Sequence, residues 1–244
     1  MTLPTRRERV RAATVDEIKT TARRLLVEQG PAAISLRAIA RQMGMTAPAL
    51  YRYFPSHEAL LEGLCGDLGD ELVGELVRAR DALPAEQAAA RLVATCQAFR
   101  GWATGHPAEF TLMFASARQG GCADAGLADR MGQRDREAAR RFGPVFFDII
   151  VEHWRRSPFP VPEPDSLSPE LRGQLERFTG VLHLPVPVGL AYVFVSGWVR
   201  LYGMVALEVF GHLDFALTDV EPLFQAEMAA LAAQLGLPLH QPTD

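Results

Sequence analysis

The chain has 244 residues, 48% of them hydrophobic and 22% charged, which excludes a disordered or fibrous chain and suits one or two packed domains. The formal net charge of −4 is unevenly spread: residues 1–60 carry ten Lys/Arg against five Asp/Glu, and the remainder fifteen against twenty-four. A basic head on an acidic body points to an anionic partner for the head.

The first stretch, MTLPTRRERVRAAT, has charge but no apolar run, so it does not read as a signal peptide. Its arginines (Arg6, Arg7, Arg9 and Arg11) read as a flexible arm for phosphates or a minor groove. From Val15 to Glu28 the apolar spacing predicts a helix that buries Ile18, Ala22, Leu25 and Leu26 and stops at Gly30-Pro31. Ser35 is then the expected N-cap of a short helix with Leu36, Ile39, Ala40 and Met43 on its buried side. Gly44 marks a turn, and Thr46 is the expected cap of a third helix, Ala47 to Phe54. Pro48 falls in that helix's first turn, where a missing N–H costs nothing. Ser56 caps a longer helix, His57 to Asp81, with leucines at 60, 61, 64, 68, 72 and 76.

The remainder also reads as helical. Helices are predicted from Ala85 to Thr104, from Pro107 to Phe114, and from Leu127 to Arg156 with a bend near Gly143-Pro144. Between them Gln119 to Gly126 is loop by composition. The run SPFPVPEPDSLSP, 157–169, is a proline-rich excursion. Further helices are predicted near Pro169–Thr179, Gly189–Phe210 and Asp219–Leu235, the last closed by Gly236 and Pro238. The stretch Val188–Phe210 is long enough to span a bilayer, but Arg200, Glu208 and its amphipathic neighbours favour a buried helix. The three cysteines (Cys65, Cys96, Cys122) share no metal or redox spacing and suit a reducing cytoplasm.

A helix, a glycine-centred turn and a second short helix, packed on a first, make a helix-turn-helix. The second helix of such a pair enters the DNA major groove. Here Leu50 and Phe54 would anchor that helix. Thr46, Ala47, Pro48 and Ala49 would form its smooth leading edge, and Tyr51, Arg52 and Tyr53 would reach phosphates, sugars or base edges. Ser35 and its neighbouring N–H groups form a natural phosphate site. Arg37, on the exposed side of the same helix, joins the candidate set.

TARRLLVEQG and SLRAIARQMGMTAPALYRYFPSHEALLEGL together resemble the N-terminal domain of the TetR family of transcriptional regulators. The resemblance implies an all-α fold: a three-helix DNA-binding head over residues 1–60, then a helical ligand-binding and dimerisation domain over 61–244. It implies phosphate contact for Ser35, Tyr51 and Tyr53, and base-edge contact near Thr46, Ala47 and Ala49. Where the family usually has lysine after Pro-Ser, this chain has His57, a weaker and pH-dependent phosphate contact. GWVRLYGMVALEVFGHL further resembles a subgroup with a Trp-x-x-x-His-Gly motif, although Tyr202 stands at the histidine position.

The implied function is a cytoplasmic, homodimeric repressor, without cofactor, released from a palindromic double-stranded DNA operator by a small apolar effector. Candidate effector-lining residues are Phe99, Trp102, His106, Phe110, Met113, Phe114, Phe147, Ile150, His153, Trp154, Trp198 and Tyr202. The helix His57–Asp81 would be the lever between head and body. Dimer helices would be Gly189–Phe210 and Asp219–Leu235, with Leu223, Met228, Leu231 and Leu235 as an apolar stripe. No nucleophile elbow, P-loop or dinucleotide fingerprint is present. Asp148, Glu152 and His153 mimic metal spacing on one helix, but no second cluster completes a site. These features argue against an enzyme.

Overall fold

The computed structural model describes residues 5–114, 142–182 and 186–237; the predicted loop 119–126 and the first half of the predicted helix 127–156 lie outside them. Among the described residues every regular element is a helix. They fall into two compact units. The first holds the chain up to Glu71 and the segment opening at His106; the second holds Leu72–Gly105 and the chain from Phe142 onward.

In the first unit, α1 (Arg6–Gln29) begins nine residues earlier than the apolar pattern predicts. The cause is a reciprocal cap. The Thr5 amide donates to the Glu8 carboxylate at 2.7 Å, and the Glu8 amide donates to the Thr5 hydroxyl at 3.3 Å. Two amide donors at the N-terminus are thereby satisfied. The expected flexible arm is therefore corrected: Arg6, Arg7, Arg9 and Arg11 lie on a capped helix. Gly30, at φ 82°, ends α1, and a single tight turn at Pro31–Ala33 follows.

Next come α2 (Leu36–Gln42) and α3 (Ala47–Tyr51), joined through Gly44 at φ 64°, a left-handed position that glycine occupies without strain. The apolar residues named from the pattern are buried here: Ile18, Ala22, Leu25, Leu26, Leu36, Ile39, Ala40, Leu50 and Phe54. Met43 is only half-buried. The helix α4 (His57–Asp81) runs through Glu71 in this unit and onward from Leu72 in the second. Phe54 packs beside Gly63 of α4, where a β-carbon would stand 3.2 Å from its ring.

The short α6 (Pro107–Phe114) also belongs to the first unit and packs on α1. Its Glu109 is buried and takes Arg23 Nε at 3.0 Å, while Glu71 takes the same guanidinium in a fork at 2.6 and 3.2 Å. The Glu71 bonds hold the Arg23 pKa above its ordinary value against the opposing effect of burial.

The second unit contains α5 (Ala88–Gly105), a helix α7 described over 142–156, α8 (Pro169–Leu182), α9 (Val188–Val209) and α10 (Glu221–Gln234). The helix α9 packs on α5, α8 and α10, and α5 also packs on α10. Its core is aromatic. Phe99 meets Trp198 edge-on at 5.4 Å, Phe142 lies 5.1 Å from Trp198, and Phe147 meets Phe194 edge-on at 5.0 Å. Such tilted and edge-to-face pairs match ring quadrupoles and add to the apolar burial.

A part-buried ion group ties three helices of this unit. Arg100 of α5 forks onto Glu208 of α9 at 2.7 Å, bonds Glu221 of α10, and lies over the Phe224 ring. The charge at Glu208 is thus answered inside the unit. The helix α9 is long and apolar enough to cross a membrane by length and composition alone. In this unit it is a packed helix, with Leu190, Ala191, Val193, Leu201 and Val205 buried. The proline-rich excursion contains one short turn at Pro164–Ser166 and brings Pro162 against Gly189, where any β-carbon would strike its carbonyl. In α10 and at its C-cap, Met228, Leu231 and Leu235 are buried within the chain, which corrects the expected dimer stripe; of the four stripe residues only Leu223 is exposed.

Candidate nucleic-acid interface

Three local devices set the surface of the head. Ser35 caps α2, its hydroxyl accepting from the Ala38 amide at 3.1 Å. The turn into α3 is closed by the Met45 amide on the Ala40 carbonyl at 2.8 Å and the Gly44 amide on the Arg41 carbonyl at 3.3 Å. Leu50, fully buried, then fixes α3 by its one inward side chain. Thr46 occupies the cap position of α3 but makes no side-chain cap bond, contrary to expectation. The reason is Pro48: it removes one of the two amides that a cap hydroxyl could take, and the next, Ala49, is bound by the Thr46 carbonyl at 3.0 Å.

The predicted helix Ala47–Phe54 ends early, at Tyr51. Pro55 disfavours helical geometry at Phe54, and Phe54 is drawn into the core beside α4. The last turn consists of tight bonds from the Tyr53 and Phe54 amides to the Leu50 carbonyl, at 2.9 and 3.1 Å.

The side chains sort accordingly. Thr46, Pro48, Tyr51 and Arg52 are exposed, and Ala47, Ala49 and Tyr53 are half-buried. Tyr51 retains 47% of its surface. One concavity is lined by Ser35 and Arg37 of α2, Tyr51 of α3, and Ser56 and His57 at the start of α4. Ser56 caps α4 through the Ala59 amide at 3.1 Å. Four of the residues singled out from the sequence thus meet on one surface, beside a helix N-terminus whose amides favour an anion. In His57 the Nε2 atom is buried without a hydrogen-bond partner. Arg6 and Arg7 are exposed on the first turn of α1, apart from that concavity.

Two features escaped the sequence reading. The Thr5–Glu8 cap has a recognisable Thr-x-x-Glu signature, hidden because no apolar run follows it. Arg11 lies over the Tyr53 ring at 5.1 Å and donates to the Arg52 carbonyl at 3.3 Å; no spacing rule links residues 41 apart.

Comparison with known proteins agrees with this geometry. Residues 18–64 match the family described as "Bacterial regulatory proteins, tetR family", and residues 92–231 match "Tetracyclin repressor-like, C-terminal domain". The chain is 31% identical over 231 residues to the HTH-type transcriptional regulator Rv1816 of Mycobacterium tuberculosis, covering 94% of this chain and 93% of that protein. The chain belongs to the TetR family of transcriptional regulators. The regulator Mb1846 of Mycobacterium bovis matches to the same extent. The crystal structure of SCO4313 shares 27% identity and a TM-score of 0.70, covering 94% of this chain and all of that one. A TetR/AcrR-family regulator from Thermobifida fusca, at 16% identity and TM-score 0.55, shares the fold. These matches show the TetR family and not the Trp-His-Gly subgroup. Family and relatives are DNA-binding transcriptional regulators, not enzymes.

The effector candidates of this TetR protein divide between the units. His106, Phe110, Met113 and Phe114 lie in the first; Phe99, Trp102, Phe147, Ile150, His153, Trp154, Trp198 and Tyr202 lie in the second. Within the second unit an apolar cavity of about 30 Å³ is lined by Leu92, Cys96, Phe146, Val193, Leu231 and others, and of the candidates only Ile150 and Trp198 reach it. Burial pushes the Cys96 thiol up to about 12, so it lines the cavity as a neutral group. His153 is occupied: its Nε2 meets the Leu235 carbonyl at 3.1 Å, and its ring stacks on Phe159. Glu152 bonds Arg91 and Arg156, which accounts for the apparent metal spacing on α7.

Proposed function

We propose that this TetR regulator is a homodimeric, cytoplasmic repressor that binds a palindromic operator and is released by a small, largely apolar effector. The observation that carries it is Tyr51, half-exposed on a helix whose other side is pinned by the fully buried Leu50. Thr46, Ala47, Pro48 and Ala49 then face the bases, while Ser35, Arg37, Tyr51, Arg52, Tyr53 and His57 meet phosphates, with Arg6 and Arg7 extending the contact along the backbone. One such head contacts few base pairs, so useful affinity requires two, and a two-fold protein mirrors a palindrome. Val199, Leu207 and Leu223, exposed on α9 and α10, support a dimer through those helices.

The effector enters the second unit at the cavity beside Ile150 and Trp198, which must open, since about 30 Å³ admits little more than one water. Binding there weakens DNA affinity by linkage, with α4 as the lever. Selection of bound sequences from a random duplex pool should return one palindrome, with affinity falling steeply as salt rises. A salt-insensitive interaction, or a selected pool without sequence preference, would refute the reading. Apolar compounds that quench tryptophan fluorescence should then lower affinity for the selected palindrome in gel-shift titrations.

A further inference from the structure

We infer that Arg11 is a positioning residue for DNA binding: it holds the Tyr53 ring and the end of the recognition helix rather than touching DNA itself. This rests on the DNA-binding surface proposed above. The first buried residue of α1 is Ile18, and the eight residues from Arg6 to Ala13 are all exposed. An exposed helical extension of about two turns is marginal in water and needs anchoring. Its start is anchored by the Thr5–Glu8 cap. Along its length, Arg11 ties it to the recognition segment through the 3.3 Å bond to the Arg52 carbonyl and the cation–ring contact with Tyr53.

The stretch after α3 needs such a tie. Arg52 and Tyr53 follow the last helical residue, and each amide there bonds only within the turn. Nothing in that turn fixes the Tyr53 side chain, which is half-buried. The guanidinium supplies two restraints at once: a donor to the backbone, and a flat cation against the ring face. A ring held in one orientation delivers its hydroxyl to a fixed place, and the ordering cost on binding DNA falls. The arginine's planar fork is required for both contacts together; a lysine ammonium satisfies one at most.

The test compares Arg11→Met, Arg11→Lys, Tyr53→Phe and the double variant Arg11→Met/Tyr53→Phe, in the full-length protein on its selected duplex. Circular dichroism and thermal melting establish that each variant is folded. Affinity is measured across a salt series. Positioning predicts that Arg11→Met and Arg11→Lys each weaken binding by about five- to tenfold, the scale of one such contact. It also predicts an unchanged slope of log affinity against log salt, and little further loss when Arg11→Met is added to Tyr53→Phe. A direct phosphate contact would instead lower the slope by about 0.9 in Arg11→Met and spare Arg11→Lys. That result, fully additive losses, or wild-type affinity in Arg11→Met would each overturn the inference. Failure of the unmodified protein to select any duplex would reject the functional reading instead, a distinguishable outcome.

Discussion

The two units differ in which aromatic residues they leave at the surface. In the second, Phe99, Phe142, Phe146 and Trp198 pack against one another, and Phe99 and Phe142 are almost fully sealed. In the first, Phe54 and Phe110 are buried with Ile18, Leu25, Leu26, Ile39, Leu50, Leu60 and Leu64, while Tyr51 is exposed and Tyr53 half-buried. Phe54 and Phe110 fill that core, and the tyrosines spared from it are free to serve a partner. In the second unit the aromatic cluster around Phe99 fills volume between long helices. Exposure, rather than composition, separates the recognition surface from the packed interior.

The largest expected effect tests the interior side of that contrast. Phe99→Ala should cost about 3–5 kcal/mol, because the emptied site is walled by rings that cannot collapse inward. All three tryptophans, Trp102, Trp154 and Trp198, belong to the second unit, so tryptophan fluorescence during urea unfolding reports that unit. A loss below 1 kcal/mol would mean that the aromatic cluster is loosely packed. The first unit's counterpart is Arg23→Met. It leaves the buried Glu109 without its cation and should cost about 2–3 kcal/mol, less than the roughly 3–5 kcal/mol of a fully buried pair because Arg23 is a third exposed. Circular dichroism should record that loss while the tryptophan transition stays in place. Coincident shifts of both signals would show that the units unfold as one cooperative block, and the contrast would fail.

How much of this was legible follows from the same division. The head could be read because short-range rules govern it. Ser35 and Ser56 are caps, and Gly44 is a left-handed turn; each is a local decision. The bounds of α4 and α6 also follow local punctuation by Pro55-Ser56 and Pro107. What could not be read depends on distant partners. Pattern alone could not tell that Met228 and Leu231 face the chain's own core, or that Glu109 would bond Arg23 across 86 positions. The effector candidates were chosen as aromatic and polar-tipped. Yet the one cavity wall they share, at Ile150 and Trp198, is set by packing of α5, α7, α9 and α10 around it.

A smaller effect tests the outward-facing side. Tyr51→Phe removes one hydroxyl from an exposed ring and nothing from the core, so stability should stay within about 0.5 kcal/mol. DNA affinity should fall by about fivefold, the scale of one hydrogen bond, and by a similar factor on every sequence if the hydroxyl meets phosphate. Loss confined to one base position would reassign Tyr51 to base readout.

The smallest effect concerns the one part of the head that has no core at all. Glu8 accepts the Thr5 amide, and this backbone bond holds its pKa below the ordinary glutamate value of 4.5. A carboxyl whose folded pKa is depressed contributes its stabilisation in full above 4.5, and that contribution disappears as pH falls through the lowered value. Acidification should therefore fray the start of α1 before it disturbs the helices that bury Ile18 and Leu26. Amide exchange at Thr5, corrected for its intrinsic pH dependence, should lose protection below that point, while Leu26 keeps its own. Glu8→Gln should show little acid response, since its amide oxygen still accepts but does not titrate. If Thr5 protection instead persisted at low pH in the unmodified chain, the extension would be held along its length by contacts such as that of Arg11, and the cap at its end would matter less than the lateral tie.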